Sequence, residues 1–152
     1  MDFQYDDGGR AAAGYRGTAG DCVTRAIAIA TGLSYNTVYD SLFERGRAYY
    51  RLGRHSGPPN VGRFASPRTG VHRKVYEPFM FDLGWAWTPT MSIGSGTRVH
   101  LRADELPGGP LVVAVSRHLC AVIDGVLHDM SDCSRGGTRA VYGFYAPGGT
   151  CA

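Results

Sequence analysis

Apolar positions in this chain follow two periods, a helical one in the first half and a strand-like one in the second. From Val23 to Ala30 the sequence is almost wholly apolar (VTRAIAIA), with Asp21 before it as a good N-cap and Gly32 after it as a stop. A helix from about Cys22 to Thr31 has few positions to show to water, which predicts a buried, central helix. Ser34 opens the next one. There Tyr35, Val38, Tyr39, Leu42 and Phe43 recur at i, i+3, i+4, i+7 and i+8, an amphipathic stripe that reaches about Leu52. A third helix is expected to open at Thr69 or Gly70, to turn Val75, Tyr76, Phe79, Met80 and Leu83 toward the core, and to stop at Gly84. Pro78 marks a kink or a late start in it.

Beyond Gly84 the pattern shortens. Trp85 to Met91 reads as a strand, and Leu101 to Leu106 as a short helix ahead of Pro107-Gly108-Gly109. Then LVVAVS from Leu111, HLCAVI from His118, VLHDM from Val126 and AVYGFY from Ala140 form short β-rich runs with tight connections, the pattern of an antiparallel meander. Helices first and strands last predict an α+β fold with helices packed on one side of an antiparallel sheet, and argue against alternating βαβ units. Residues 1–20, rich in glycine and alanine, read as an irregular lead-in in which Phe3 and Tyr5 pin a short extended piece. Residues 53–68 read as a long basic loop that frames a site. With 152 residues, 43% of them hydrophobic, the chain is expected to form a single domain over 1–152.

The hairpin RHLCAVIDGVLHD carries the first chemistry. Asp124-Gly125 between two apolar runs is a strong two-residue turn signal. If Ile123 pairs with Val126, Cys120 lies opposite Asp129 and His118 opposite Ser131, which makes His118 and Asp129 diagonal neighbours on one face. A histidine oriented by a carboxylate is half of a nucleophilic site and needs a thiol or hydroxyl from elsewhere. The four cysteines, Cys22, Cys120, Cys133 and Cys151, contain no CxxC pair and read as reduced thiols. Of these Cys22 has the best surroundings. At the first position of a helix, the dipole and free N–H groups stabilise a thiolate, and the Cys22 amide is placed to hold an oxyanion. The adjacent Asp21 opposes this unless its charge is absorbed in capping the helix.

Each residue has a plainer alternative. Cys22 also fits as a small buried hydrophobe, and Cys120 as an inert one in mid-strand. His128 falls on the other face in a structural role, and Asp124 belongs to the turn. Asp132 rivals Asp129 as orienter if the strand slips by one or carries a bulge. A zinc site can be drawn from His118, Cys120, His128, Asp129 and Cys133, but close Cys–Cys spacing is missing, so neither metal nor cofactor is expected.

GDCVTRAIAIATG together with SRHLCAVIDGVLHD resembles the papain-like cysteine peptidase superfamily, in its small bacterial and phage-type members. The resemblance implies a nucleophilic cysteine that begins a central helix packed on an antiparallel sheet, with the base histidine and its orienter on neighbouring strands. The matching positions are Cys22, His118 and Asp129. It implies a cysteine-dependent hydrolase acting on a peptide, isopeptide or other acyl substrate through an acyl-enzyme. An acyltransferase or transglutaminase-like enzyme would share that nucleophile. Members of the superfamily usually carry a Gln or Asn upstream of the cysteine; GYRGTAGDC has neither, which leaves Thr18, Tyr15 or Gln4 as substitutes.

Charge adds a different possibility. The net charge is only +3, but Arg45, Arg47, Arg51, Arg54 and the cations that follow to Lys74 contain no acid among them. That surface suits an anionic partner, nucleic acid or an acidic protein, and an inert binding module is the alternative function. A solvated basic loop in an arginine-favouring chain explains it too, since Lys74 is the only lysine. No apolar run approaches the roughly 18 to 20 residues of a membrane span. MDFQYDDGGR lacks a secretion-signal pattern, and a cytoplasmic location is the expectation.

Overall fold

In the computed structural model, which describes residues 1–17, 20–51, 67–68, 70–92 and 94–148, the apolar run after Asp21 is the helix α1 (Cys22–Thr31). The chain begins with a strand, β1 (Asp2–Tyr5), and after α1 come α2 (Tyr35–Arg51), α3 (Arg73–Asp82), β2 (Trp85–Pro89), β3 (Pro110–Val115), β4 (His118–Ile123), β5 (Val126–Asp129) and β6 (Gly143–Pro147). The fold is α+β: three helices and a six-stranded mixed sheet among the described residues. The Gly32 amide ends α1 by donating to the Ala28 carbonyl at 3.0 Å. The third helix opens later than its apolar pattern suggests. Gly70 has φ 148°, outside the helical region, and the start is fixed instead by His72, whose Nδ1 accepts from the Lys74 amide at 3.1 Å. Pro78 is accommodated inside α3.

Strand order is β1-β5-β4-β3-β6-β2. Asp124 and Gly125 have φ 49° and 79°, so both central residues of the turn are left-handed and Ile123 pairs with Val126 as their spacing requires. The antiparallel run β3-β4-β5 is the predicted meander, but it ends there. β6 does not continue beside β5; it returns along β3, with Val113 opposite Phe144, because β1 occupies the free edge of β5. That pairing is parallel, Phe3 with Leu127 and Tyr5 with Asp129, so the sheet is mixed and not wholly antiparallel. Part of the supposed irregular lead-in is therefore a strand. Leu101 to Leu106 is a turn and not a helix: the Glu105 amide reaches only the Arg102 carbonyl at 3.2 Å before Pro107, while Leu101 is tied to Arg139 by a 2.8 Å bond.

Both faces of the sheet are buried, and alternation along the strands separates them. Val112, Leu119, Ala121 and Tyr145 pack with Ile27, Val38, Leu42 and Met80 under the helices. Leu111, Val113, Cys120, Val122 and Leu127 form a second core roofed by Leu101, Leu106 and Val141. α1 lies across β4, β3 and β5, so its first residue arrives at the strand ends. No helix among the described residues is long and apolar enough to cross a membrane.

Close packing makes one glycine indispensable. A methyl group at Gly143 would run into the Trp87 ring and the Thr88 carbonyl on the neighbouring strand. Gly143→Ala should lower stability by about 1–3 kcal/mol, as overpacking does, read as a lower midpoint in thermal or urea unfolding.

Candidate active site

The hairpin register determines where its polar residues meet. His118 opens β4 directly after the Ser116-Arg117 turn, and Asp129 closes β5, so both stand at the same end of adjoining strands. The His118 Nε2–H donates to Asp129 Oδ2 at 2.6 Å. Asp129 Oδ1 accepts from the Met130 amide at 2.7 Å and from Arg25 Nη2 at 3.4 Å. Burial disfavours the Asp129 carboxylate, but these donors outweigh it and hold its pKa below the usual aspartate value. Asp132 is engaged elsewhere. Its Oδ1 closes its own turn, accepting from the Ser134 amide at 2.9 Å and the Ser134 hydroxyl at 2.6 Å.

Cys22, half-buried at the first position of α1, interacts with the His118 imidazole and the Leu119 amide. Burial alone would raise its pKa; the neighbouring His118 imidazole, the Leu119 amide and the charge of Arg25 bring it below the ordinary thiol value of 9.0. The converse holds for His118. Burial disfavours the imidazolium, yet Asp129, Cys133 and Cys22 together push its pKa up to about 11. Thiolate and imidazolium thus stabilise one another. With Nε2 committed to Asp129, Nδ1 is the atom left for other chemistry. The pair opens onto a cleft of about 670 Å³ lined by Gly20, Cys22, Val71, Arg73, Tyr76, His118 and Tyr142, among others. Arg73 is held there over the Trp87 ring at 4.4 Å and against Glu77 at 2.9 Å.

Asp21 occupies the N-cap position without capping: its side chain makes no bond to the first turn. Its charge is absorbed by other means. Only 1% exposed, Asp21 is ion-paired with Arg25 one turn along, lies 3.5 Å from Arg10 Nε, and accepts the Tyr35 hydroxyl at 2.7 Å. Burial and the neighbouring Asp21 carboxylate raise the Tyr35 pKa well above its usual value. Arg10 in turn donates to the carbonyls of Arg16 and Gly17, fastening the segment before the helix. Arg25 therefore bridges Asp21 and Asp129. The sequence carried one sign of it, an arginine inside an otherwise apolar helix and four residues after an aspartate.

The remaining residues are dispersed. His128 faces Asp6 on the β1 side, 3.5 Å from its carboxylate, and Cys120 is buried with a raised pKa because of Cys133 and burial. Cys133 interacts with both Cys120 and His118 and is lowered as a result. His118, Asp129 and Cys133 offer ligand atoms within 4.8 Å of one another and form the set that could hold a metal, though Nε2 and Oδ2 at 2.6 Å are already sharing a proton. Of the substitutes for an oxyanion donor, Tyr15 packs against the rings of Tyr35 and Tyr39 and Gln4 donates to the Tyr5 carbonyl; neither lines the cleft. Thr18 and Cys151 lie outside the described residues, as do Arg54 and most of the basic loop. Arg45 pairs with Asp82 at 2.6 Å, Arg47 with Glu44 at 3.8 Å, and Arg51 ends α2. Compared with family models, curated proteins and solved structures, the chain finds no match.

Removing Arg25 leaves two buried carboxylates short of their shared partner. Arg25→Met should lose about 3–5 kcal/mol of stability in urea unfolding, whereas Arg45→Met at the surface pair should lose less than about 1. The pH dependence of alkylation tests the thiolate. Cys22 should react with iodoacetamide along a titration curve whose midpoint lies below 9.0, and His118→Ala should move that midpoint upward, read by mass spectrometry of the Cys22 peptide. By linkage, the stabilisation from the raised His118 pKa is fully present below 6.5 and is lost as pH rises through about 11.

Proposed function

We propose that this protein is a papain-like cysteine hydrolase that cleaves an amide or related acyl bond through a thioester on Cys22. The observation that carries the reading is the His118 imidazole, bound to the Asp129 carboxylate and lining one cleft together with Cys22 at the start of α1. A helix that opens at the thiol and packs on the sheet bearing the histidine supports the same reading.

In this mechanism the Cys22 sulfur attacks the carbonyl carbon while the Cys22 amide, free at the helix start, donates to the developing oxyanion. The C–N bond then breaks and His118 delivers its Nδ1 proton to the departing amine. Water attacks the thioester, gives its proton back to His118, and releases the carboxylic acid and the thiolate. An amine in place of water would make the same site a transferase. Asp129 keeps Nε2–H donated to itself, so Nδ1 always faces the reaction, and stabilises the imidazolium between the two halves.

Adduct mapping with a peptidyl vinyl sulfone tests the assignment. Modification should fall on Cys22, persist in Cys133→Ser, vanish in Cys22→Ala, and slow by about 100-fold in His118→Ala. Equal modification of Cys133, or a rate at Cys22 indifferent to His118, would overturn it. Circular dichroism of each variant separates loss of chemistry from loss of fold.

A further inference from the structure

A second cleft meets the first at the histidine. It has a volume of about 540 Å³ and is lined by Ser116, Arg117, His118, Ser131, Cys133, Arg135 and Arg139. Only Arg117 and His118 are common to the two clefts, so the imidazole has Cys22 on one side and this basic recess on the other. No carboxylate lines the recess. The nearest acid in sequence, Asp132, spends Oδ1 on Ser134, and none of the three arginines forms an ion pair among the described residues.

One of the arginines is also held in place. Arg139 Nη2 donates to the Ser116 carbonyl at 2.5 Å, which leaves its buried Nε without a partner. Arg117 and Arg135 have φ of 57° and 54° and are two of the three non-glycine residues with positive φ among the described residues. A backbone conformation that glycine adopts more readily is here given to two arginines that line the same recess. Three guanidinium groups with unused donors and no carboxylate lining the recess outnumber the Cys133 thiol there and favour a carboxylate over a neutral ligand.

The chemistry of the proposed reaction says which part of a substrate this would be. His118 must give its proton to the departing nitrogen, so the amine half lies over the imidazole, while the oxyanion turns toward the start of α1. We infer that the recess beyond His118 receives the leaving half of the substrate and selects amines that bear a carboxylate. The acyl half is left to the larger cleft with Val71, Tyr76 and Tyr142. This assignment rests on the Cys22 and His118 roles proposed above. The carboxylate has two sources, an acidic side chain just after the scissile bond or the α-carboxylate of a short leaving segment.

Two measurements on the full chain test it. The first digests a synthetic library of tetradecapeptides of fixed sequence and maps the cut sites by mass spectrometry. Sites followed by Asp or Glu, or lying within two residues of a free C-terminus, should be enriched about tenfold or more over neutral and basic ones. The enrichment should collapse in Arg117→Gln and Arg135→Gln, and amidated C-termini distinguish the two carboxylate sources. The second titrates folded Cys22→Ala with Asp-Glu-amide, Ala-Ala, Ala-Ala-amide and inorganic phosphate by calorimetry, and needs no turnover. The two carboxylate peptides should bind more tightly than Ala-Ala-amide, and Arg135→Gln should erase the difference. Even cutting across acidic, neutral and basic sites, an acidic preference unchanged in the arginine variants, phosphate alone bound, or equal binding of all the dipeptides would overturn the inference. Cutting that survives in Cys22→Ala, beside intact carboxylate binding, would instead overturn the nucleophile and leave the recess standing.

Discussion

Arg25 ties together the two parts of the molecule that the proposed chemistry requires in register. It starts on α1, three residues after Cys22, pairs with Asp21 at the entrance to the helix, and reaches Asp129 at the end of β5. Both carboxylates are almost inaccessible to water, so each depends on this guanidinium and on the donors around it. A buried ion pair is weak evidence of net stability when compared with apolar packing. Its value here is positional: α1 cannot slide along the sheet without leaving a charge unpaired, and the separation of Cys22 from His118 is fixed by the same constraint. Arg10 and Tyr35 extend the network to the segment before α1 and to the start of α2.

This network also resolves an electrostatic conflict. A carboxylate next to Cys22 in sequence should resist formation of a thiolate there. Asp21 does not, because its oxygens face Arg10, Arg25 and Tyr35 and its charge is matched by two cations before it reaches the sulfur. Had Asp21 capped the helix in the ordinary way, it would have consumed the N–H groups that the first turn offers to a ligand. Paired with side chains instead, it makes no claim on the amides of the first turn.

What could be read from the residues was whatever rests on local periodicity. The 3.6-residue stripes of α1 and α2 and the Asp124-Gly125 turn depend on near neighbours, and the turn carried the alignment of His118 with Asp129 along with it. The start of α3 was misjudged because a histidine ring, not one of the usual capping residues, holds the Lys74 amide. The edges of the sheet were out of reach for a different reason. That β1 pairs with β5, and β6 with β3, is a long-range choice between exposed edges with no pattern in the strands themselves. The reach of Arg25 to Asp129 was hidden similarly, because that partner is 104 residues away, and only the tertiary fold brings Cys133 to the same imidazole as Cys22.

Two thiols beside one histidine pose a question of asymmetry that pKa does not settle for Cys22, since both are lowered and Cys133, with Cys120 as the largest cause, is brought to about 6. The difference lies in what surrounds each sulfur. Cys22 stands at the start of a ten-residue helix, where aligned peptide dipoles and unpaired N–H groups meet an incoming carbonyl oxygen. Cys133 sits in an irregular turn between Asp132 and Ser134 and is stabilised as a thiolate by Cys120, a buried thiol that does not line the cleft. An attack from Cys133 would create an oxyanion beside a single 3-10 turn, Arg135–Gly137, and not at the start of an α-helix. A thiolate alone makes a nucleophile, but transition-state stabilisation needs donors aimed in advance, and on that ground the division of roles around His118 favours Cys22.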